Sequence, residues 1–217
     1  DRPVAERAIA DLARPRTVHL VGIGGSGISA IGIILASMGH HVSGVDLNET
    51  PAWPALRAAG IDPQVVARAD LFRSADAHGA EIVAHSTAFP PSDADVSAAA
   101  AAGRQVADRA AILGAICAQR PTVAVSGTHG KTSTTAMWAT LLDGAETDPS
   151  YLVGAVPLGL GRAANWADGG SFVVEADESD GSFLQLGADV AVITNIDEDH
   201  LDFWGDIDAI EAVSYTH

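Results

Sequence analysis

Short runs of β-branched residues, each ending in glycines or acids, alternate along this chain with longer stretches that are apolar at helical spacing. Thr17-Val18-His19-Leu20-Val21-Gly22-Ile23 reads as a strand, and residues 29–38, apolar nearly all round, as a buried helix. Residues 41–46 form a second strand pattern, 53–59 a helix and 81–85 a third strand. Such alternation predicts parallel strands joined by right-handed crossovers, an α/β class with a Rossmann-like sheet in the first half. Residues 92–102 read as an alanine-rich surface helix opened by Ser92 or Asp93, and 109–119 as another helix ahead of Pro121. A fresh strand-loop-helix unit begins at Thr122. The expected division therefore falls between 103 and 121, drawn as domains 1–105 and 106–217. The second half continues with strand 122–126, a helix over 131–142, and strands at 171–175 and 188–194. Ligands of open α/β sheets sit beyond the carboxyl ends of the strands, so three strand ends here are expected to converge on one site.

Composition narrows the partners more than the fold. The 217 residues carry a formal charge of −16, which argues against nonspecific binding to nucleic acid but not against a phosphate held locally by backbone N–H groups. No apolar stretch approaches the roughly 18 residues of a membrane span, and the N-terminus lacks signal-peptide order. Cys117 is the single cysteine, so no intrachain disulfide can form. A cytoplasmic protein without membrane attachment is expected.

The candidate chemistry begins at Val125-Ser126-Gly127-Thr128-His129-Gly130-Lys131-Thr132-Ser133. This stretch shares the Gly-Lys-Thr core of a mononucleotide phosphate loop but has Val125 where the first glycine of that motif would stand. Gly127 and Gly130 let the backbone turn N–H groups toward phosphate, and a helix starting near Lys131 points its positive end the same way. Lys131 can then meet the β- and γ-phosphates of ATP while Thr132 offers a hydroxyl to Mg²⁺. Glu175 ends an apolar strand and begins an acidic stretch that continues through Asp177, Glu178 and Asp180. Its position suits a metal ligand, whereas Glu178 and Asp180 fit a solvated loop. His200 lies among acids after a further strand and is a second candidate ligand.

Gly22-Ile23-Gly24-Gly25-Ser26-Gly27 fits G-x-G-x-x-G between a strand and a helix, with Asp46 ending the next strand. The residues alone allow a dinucleotide such as NAD. They equally allow any diphosphate that approaches the backbone at a helix N-terminus, a UDP-sugar included.

Taken in order, residues 21–27, 126–132, 174–181 and 194–202 resemble the Mur ligase family, most like its L-alanine-adding branch. That resemblance spans about residues 16–205 and replaces the NAD reading, because the family's Rossmann-like first domain holds the UDP part of the substrate. It implies a partial P-loop α/β ATPase domain in the second half. It further implies ATP on Gly127, Thr128, His129, Gly130, Lys131, Thr132 and Ser133. Mg²⁺, with Mn²⁺ as an alternative, would be held by Thr132 and Glu175, and His200 would serve a second metal site. The UDP-substrate would lie on Gly22, Gly24, Gly25, Ser26, Gly27 and Asp46, with Ser86 and Thr87 as a Ser-Thr pair contacting it. Lys131, Glu175 and His200 are the residues implied to carry catalysis. The implied reaction of peptidoglycan precursor synthesis joins L-alanine to UDP-N-acetylmuramate through an acyl phosphate at the expense of ATP.

The family has three domains, so the chain is expected to be a fragment without the rest of the central domain and without the C-terminal one. Such a piece would leave apolar sheet edges open to self-association and would not turn over. The alternatives are a murein tripeptide ligase, a UDP-sugar-binding module without catalysis and, least favoured, an NAD-dependent oxidoreductase.

Overall fold

The computed structural model describes residues 11–89, 93–177, 181–198, 204–208 and 211–212. It divides into two compact units, residues 1–119 and 120–217. In the first unit, strands β1 (Thr17–Val21), β2 (His41–Asp46), β3 (Gln64–Val65), β4 (Ile82–His85) and β5 (Gln105–Asp108) form one sheet in the order β3-β2-β1-β4-β5. Every pairing in it is parallel. Helices α1 (Ser26–Ser37), α2 (Trp53–Ala58), α3 (Ser74–Ala77), α4 (Ala94–Ala101) and α5 (Arg109–Cys117) make the connections. β4 is buried along its whole length, as a strand covered on both faces must be. α1 buries Ile28, Ile31, Ile34 and Leu35, and Gly32 lets it approach β1: a Cβ there would lie 2.8 Å from Leu20 Cδ1.

The first unit runs to Gln119, inside the expected span of 103–121 but past the line drawn at 105/106. The cause is β5, whose sequence has too little β-branched character to predict a strand. Its residues pair with β4 from Ile82↔Gln105 to His85↔Asp108, and α5 follows at once with Asp108 as its cap, Oδ1 accepting the Ala111 N–H at 2.9 Å. Of the two cap candidates for the alanine-rich helix, Asp93 does the capping, accepting from Asp95 N–H, while Ser92 lies outside the described residues.

The second unit contains β6 (Thr122–Ser126), α6 (Lys131–Gly144), β7 (Ser150–Leu152), β8 (Ala164–Asn165), β9 (Phe172–Glu175) and β10 (Val190–Ile193). Their sheet runs β10-β6-β9-β7-β8, parallel except for the β7–β8 pair. The three strands expected to end together are thus neighbours. Arg120 fastens the far edge: its Nη1 donates at 2.7 Å to Ser150 Oγ, Ala167 O and Gly169 O, and its guanidinium lies 3.7 Å over the Trp166 ring. β10 is an edge strand with Val190 and Ile193 exposed, as expected of an open sheet edge, and α6 also exposes Met137, Trp138 and Leu141. No helix among the described residues is long and apolar enough to cross a membrane.

Histidines inside the first sheet give it a pH dependence. His19 is fully buried on β1 between the Ser43 and Ser74 hydroxyls, 2.8 Å from each, and stacks on His78. Burial, then the neighbouring His78 and Arg104, push its pKa from an ordinary 6.5 down to about 4. His40 is also lowered, by burial and then Arg16, and its Nδ1 accepts the Arg16 N–H at 3.1 Å, a bond that protonation breaks. Between the folded and unfolded values the unfolded chain holds the extra proton. Stability is therefore full above about pH 6.5 and lost as pH falls toward 4. Urea denaturation should show about 2 kcal/mol lost from His19 alone between pH 8 and pH 5, and His19→Gln should flatten that slope. An unchanged slope would mean that His19 is charged in the folded state.

Candidate functional site

Strand register builds the site in the second unit. Val125 pairs with Glu175 on one side of β6, and Ser126 with Ile193 on the other. The loop that leaves β6 therefore emerges between the ends of β9 and β10. It turns at Gly127 (φ +120°) and Gly130 (φ +85°), both in backbone conformations that favour glycine, and Gly130 is the N-cap of α6. Lys131 opens the helix and folds its Nζ back to the Gly127 carbonyl at 2.8 Å, which holds the ammonium across the loop. Thr132 and Ser133 follow in the first turn, Thr132 half-buried and Ser133 exposed. There the helix dipole favours an anion.

Thr132 Oγ1 donates to Glu175 Oε1 at 2.9 Å, joining two residues 43 positions apart. The other carboxylate oxygen, Oε2, accepts the Gly154 N–H at 2.7 Å. A Cβ at position 154 would lie 2.7 Å from that oxygen, so Gly154 makes room for the carboxylate. A hydroxyl and a carboxylate oxygen side by side are hard donors of the type Mg²⁺ prefers, and substrate phosphates and water usually complete its shell. The pair fits that ion, and Mn²⁺ accepts the same donors. Among the described residues, no three His, Cys, Asp or Glu side chains converge as a self-sufficient metal cage. His200, the expected second ligand, lies outside the described residues, as do Glu178, Asp180 and Asp199.

Thr128 and His129 do not turn their amides where a phosphate-facing loop was expected to turn them. Thr128 N–H donates to Asn195 O at 3.2 Å and His129 N–H to Asn195 Oδ1 at 3.0 Å. The Thr128 hydroxyl accepts the Asp197 N–H at 3.0 Å. The segment after β10 is thus laced to the loop, and a Cβ on Gly127 would come within 2.3 Å of Thr194 Oγ1. Gly127 is a glycine for this neighbour as well as for its own turn. Thr194 and Asn195 carry no role that the sequence alone reveals, because their partners on the loop lie more than 60 residues away.

The glycine loop of the first unit leaves β1 with Gly22 at φ +76°, its N–H donating to Val45 O at 2.9 Å. Asp46 holds the loop through Oδ2, which accepts Gly24 N–H at 2.8 Å, while its Oδ1 accepts the N–H of the next residue, Leu47, at 2.7 Å. Thr50 Oγ1 donates to the Gly24 carbonyl at 3.1 Å. Asp46 is thus a fastening for the loop, beyond the ribose-facing acid that its spacing suggested. Gly25 and Ser26 are exposed where α1 begins. Ser86 packs on Gly22, whose added Cβ would meet Ser86 Oγ at 2.7 Å, whereas Thr87 is exposed in the following turn. Arg109, which sequence reasoning passed over, lies against Gly27: a Cβ there would be 3.0 Å from its Nη1. The structure therefore puts a guanidinium beside the loop, from a helix 82 residues further along.

The pattern of the Mur ligase family, catalytic domain, matches residues 17–121, and that of the Mur ligase middle domain matches residues 125–215. The chain belongs to the Mur ligase family. It is 44% identical over 196 residues to the UDP-N-acetylmuramate–L-alanine ligase of Acidiphilium cryptum, covering 90% of this chain and 40% of that protein. The enzyme of the same name from Roseobacter denitrificans is 41% identical over 193 residues, covering 89% and 40%. Among solved structures, the UDP-N-acetylmuramate:L-alanyl-γ-D-glutamyl-meso-diaminopimelate ligase of Neisseria meningitides matches with a TM-score of 0.80 at 27% identity, over 92% of this chain and 66% of that one. The UDP-N-acetylmuramate-alanine ligase of Thermotoga maritima matches with a TM-score of 0.77 at 28% identity, over 92% and 47%. The chain thus spans about 40% of the length of the curated relatives it matches.

Gly154→Ala tests the carboxylate's task. The added methyl displaces Glu175 while leaving the backbone conformation allowed. In the full-length protein, calorimetry should show Mg-ATP affinity reduced about tenfold, or ~1.4 kcal/mol. Wild-type affinity in this variant would remove Glu175 from metal binding.

Proposed function

We propose that the chain is the substrate-binding domain and the phosphate-loop part of an ATP-dependent UDP-N-acetylmuramate:L-alanine ligase of peptidoglycan precursor synthesis, working in the cytoplasm. The observation that carries this reading is the convergence of Lys131, Thr132 and Glu175 at the ends of adjacent parallel strands. Identity of 41–44% to two proteins named for L-alanine addition supports that amino acid.

In the proposed reaction the muramate carboxylate attacks the γ-phosphate of ATP, giving an acyl phosphate and ADP. L-Alanine's neutral amine then displaces phosphate to form the amide. Two anions must meet in the first step, so the site has to offset their repulsion. Lys131 brings a positive charge to the loop, and the first turn of α6 adds its dipole. Thr132 and Glu175 would hold Mg²⁺, which supplies the remaining charge neutralisation. Glu175 is kept in place from its far side by Gly154, so its metal-facing oxygen cannot swing away. In the first unit, Gly22 to Gly27 would receive the UDP diphosphate at the N-terminus of α1, with the Arg109 guanidinium beside Gly27.

Supplied with Mg-ATP, the full-length protein should release ADP on addition of UDP-N-acetylmuramate and L-alanine together, and Lys131→Ala should abolish that release. Faster release with the tripeptide than with L-alanine would transfer the assignment to the tripeptide ligases. UDP-N-acetylmuramate should raise the melting temperature of the 217-residue chain and NAD should not; the reverse ranking would sink the UDP-substrate reading.

A further inference from the structure

Asn195 meets His129 at two points. Its Oδ1 accepts the His129 N–H at 3.0 Å, its Nδ2 donates to the His129 carbonyl at 2.8 Å, and Thr194 Oγ1 lies 2.6 Å from the same carbonyl. The Asn195 carbonyl also accepts the Thr128 N–H. A trans peptide is planar, and its C=O and N–H point in opposite directions; the described chain has no cis peptide. Fixing the His129 carbonyl on the side of Thr194 and Asn195 therefore turns the Gly130 N–H the other way. Gly130 is exposed and caps α6, so that N–H stands in the open at the helix N-terminus.

Left unheld, this peptide could turn over. Glycine at 130 lowers the cost of the flip, and the flipped form would face an anion with a carbonyl oxygen in place of a donor. The approach that prevents it depends on Gly127, since any Cβ there would meet Thr194 Oγ1 and Asn195 O within 2.7 Å. We propose that Thr194 and Asn195 are positioning residues for the nucleotide, holding the His129–Gly130 peptide with its N–H toward the phosphates. The proposal rests on the phosphate-loop reading of residues 126–132 given above. It assigns to the end of β10 a part in binding ATP that no direct contact with ATP requires.

The test uses the full-length protein and isothermal calorimetry with Mg-ATP and, separately, UDP-N-acetylmuramate. Asn195→Ala and Thr194→Val should each weaken ATP about tenfold and leave UDP-N-acetylmuramate within about twofold of wild type. Thr194→Ser, which keeps the hydroxyl, should restore ATP affinity. Lys131→Ala serves as the control for the loop itself. If Lys131→Ala loses ATP while Asn195→Ala and Thr194→Val bind it normally, the positioning role is wrong and the phosphate loop stands. If Lys131→Ala binds ATP like wild type, the loop reading fails and this proposal falls with it. Parallel loss of both ligands in Asn195→Ala and Thr194→Val would mark a general structural role and would also overturn it.

Discussion

Both glycine loops depend on a hydrogen bond from the strand next door. A glycine-rich turn has few bonds within itself to stiffen it, so the neighbouring strand must supply them. In the first unit Asp46, at the end of β2, takes the Gly24 N–H; in the second Asn195, just past β10, takes both polar groups of His129. The parallel arrangement makes this available in each case, because adjacent parallel strands deliver their carboxyl ends to the same rim. The two units solve one problem with different chemistry. A carboxylate can only accept, and it serves where amides need capturing; a carboxamide both donates and accepts, and it serves where an N–H and a C=O must be fixed together.

Charge in this protein is local. A chain carrying −16 overall still gathers Lys131 and a helix N-terminus at one loop and Arg109 with another helix N-terminus at the other. Two acids beside these loops are held in place by donors. Glu175 is bonded by Thr132 and Gly154, and Asp46 by two backbone amides, so the charge of each is partly offset by donors.

Much of this was legible in the sequence, and what was not has a common cause. The strands with β-branched runs, the helix after each glycine loop and the placing of Lys131, Thr132 and Glu175 around one loop all rest on local patterns that survive folding unchanged. β5 escaped because Gln105-Val106-Ala107-Asp108 has too short an apolar pattern to announce a strand; β4 makes it one by pairing with it. Arg109, Gly154, Thr194 and Asn195 escaped because their meaning lies in partners brought near only by the sheets. The Asp46 spacing pointed to a ribose-facing acid, and spacing alone could not show that both carboxylate oxygens bond to backbone. His200 remains an expectation of the sequence alone.

The crowding at Gly127 changes what that glycine can testify to. Its neighbours Thr194 and Asn195 would exclude a side chain even from a descendant that no longer bound any nucleotide, for as long as β10 stayed beside β6. Glycine at this place is therefore a record of architecture, retained by default when chemistry is lost. Lysine at 131 carries no comparable steric obligation. In sorting working ligases from their retired cousins, the lysine is the witness to trust.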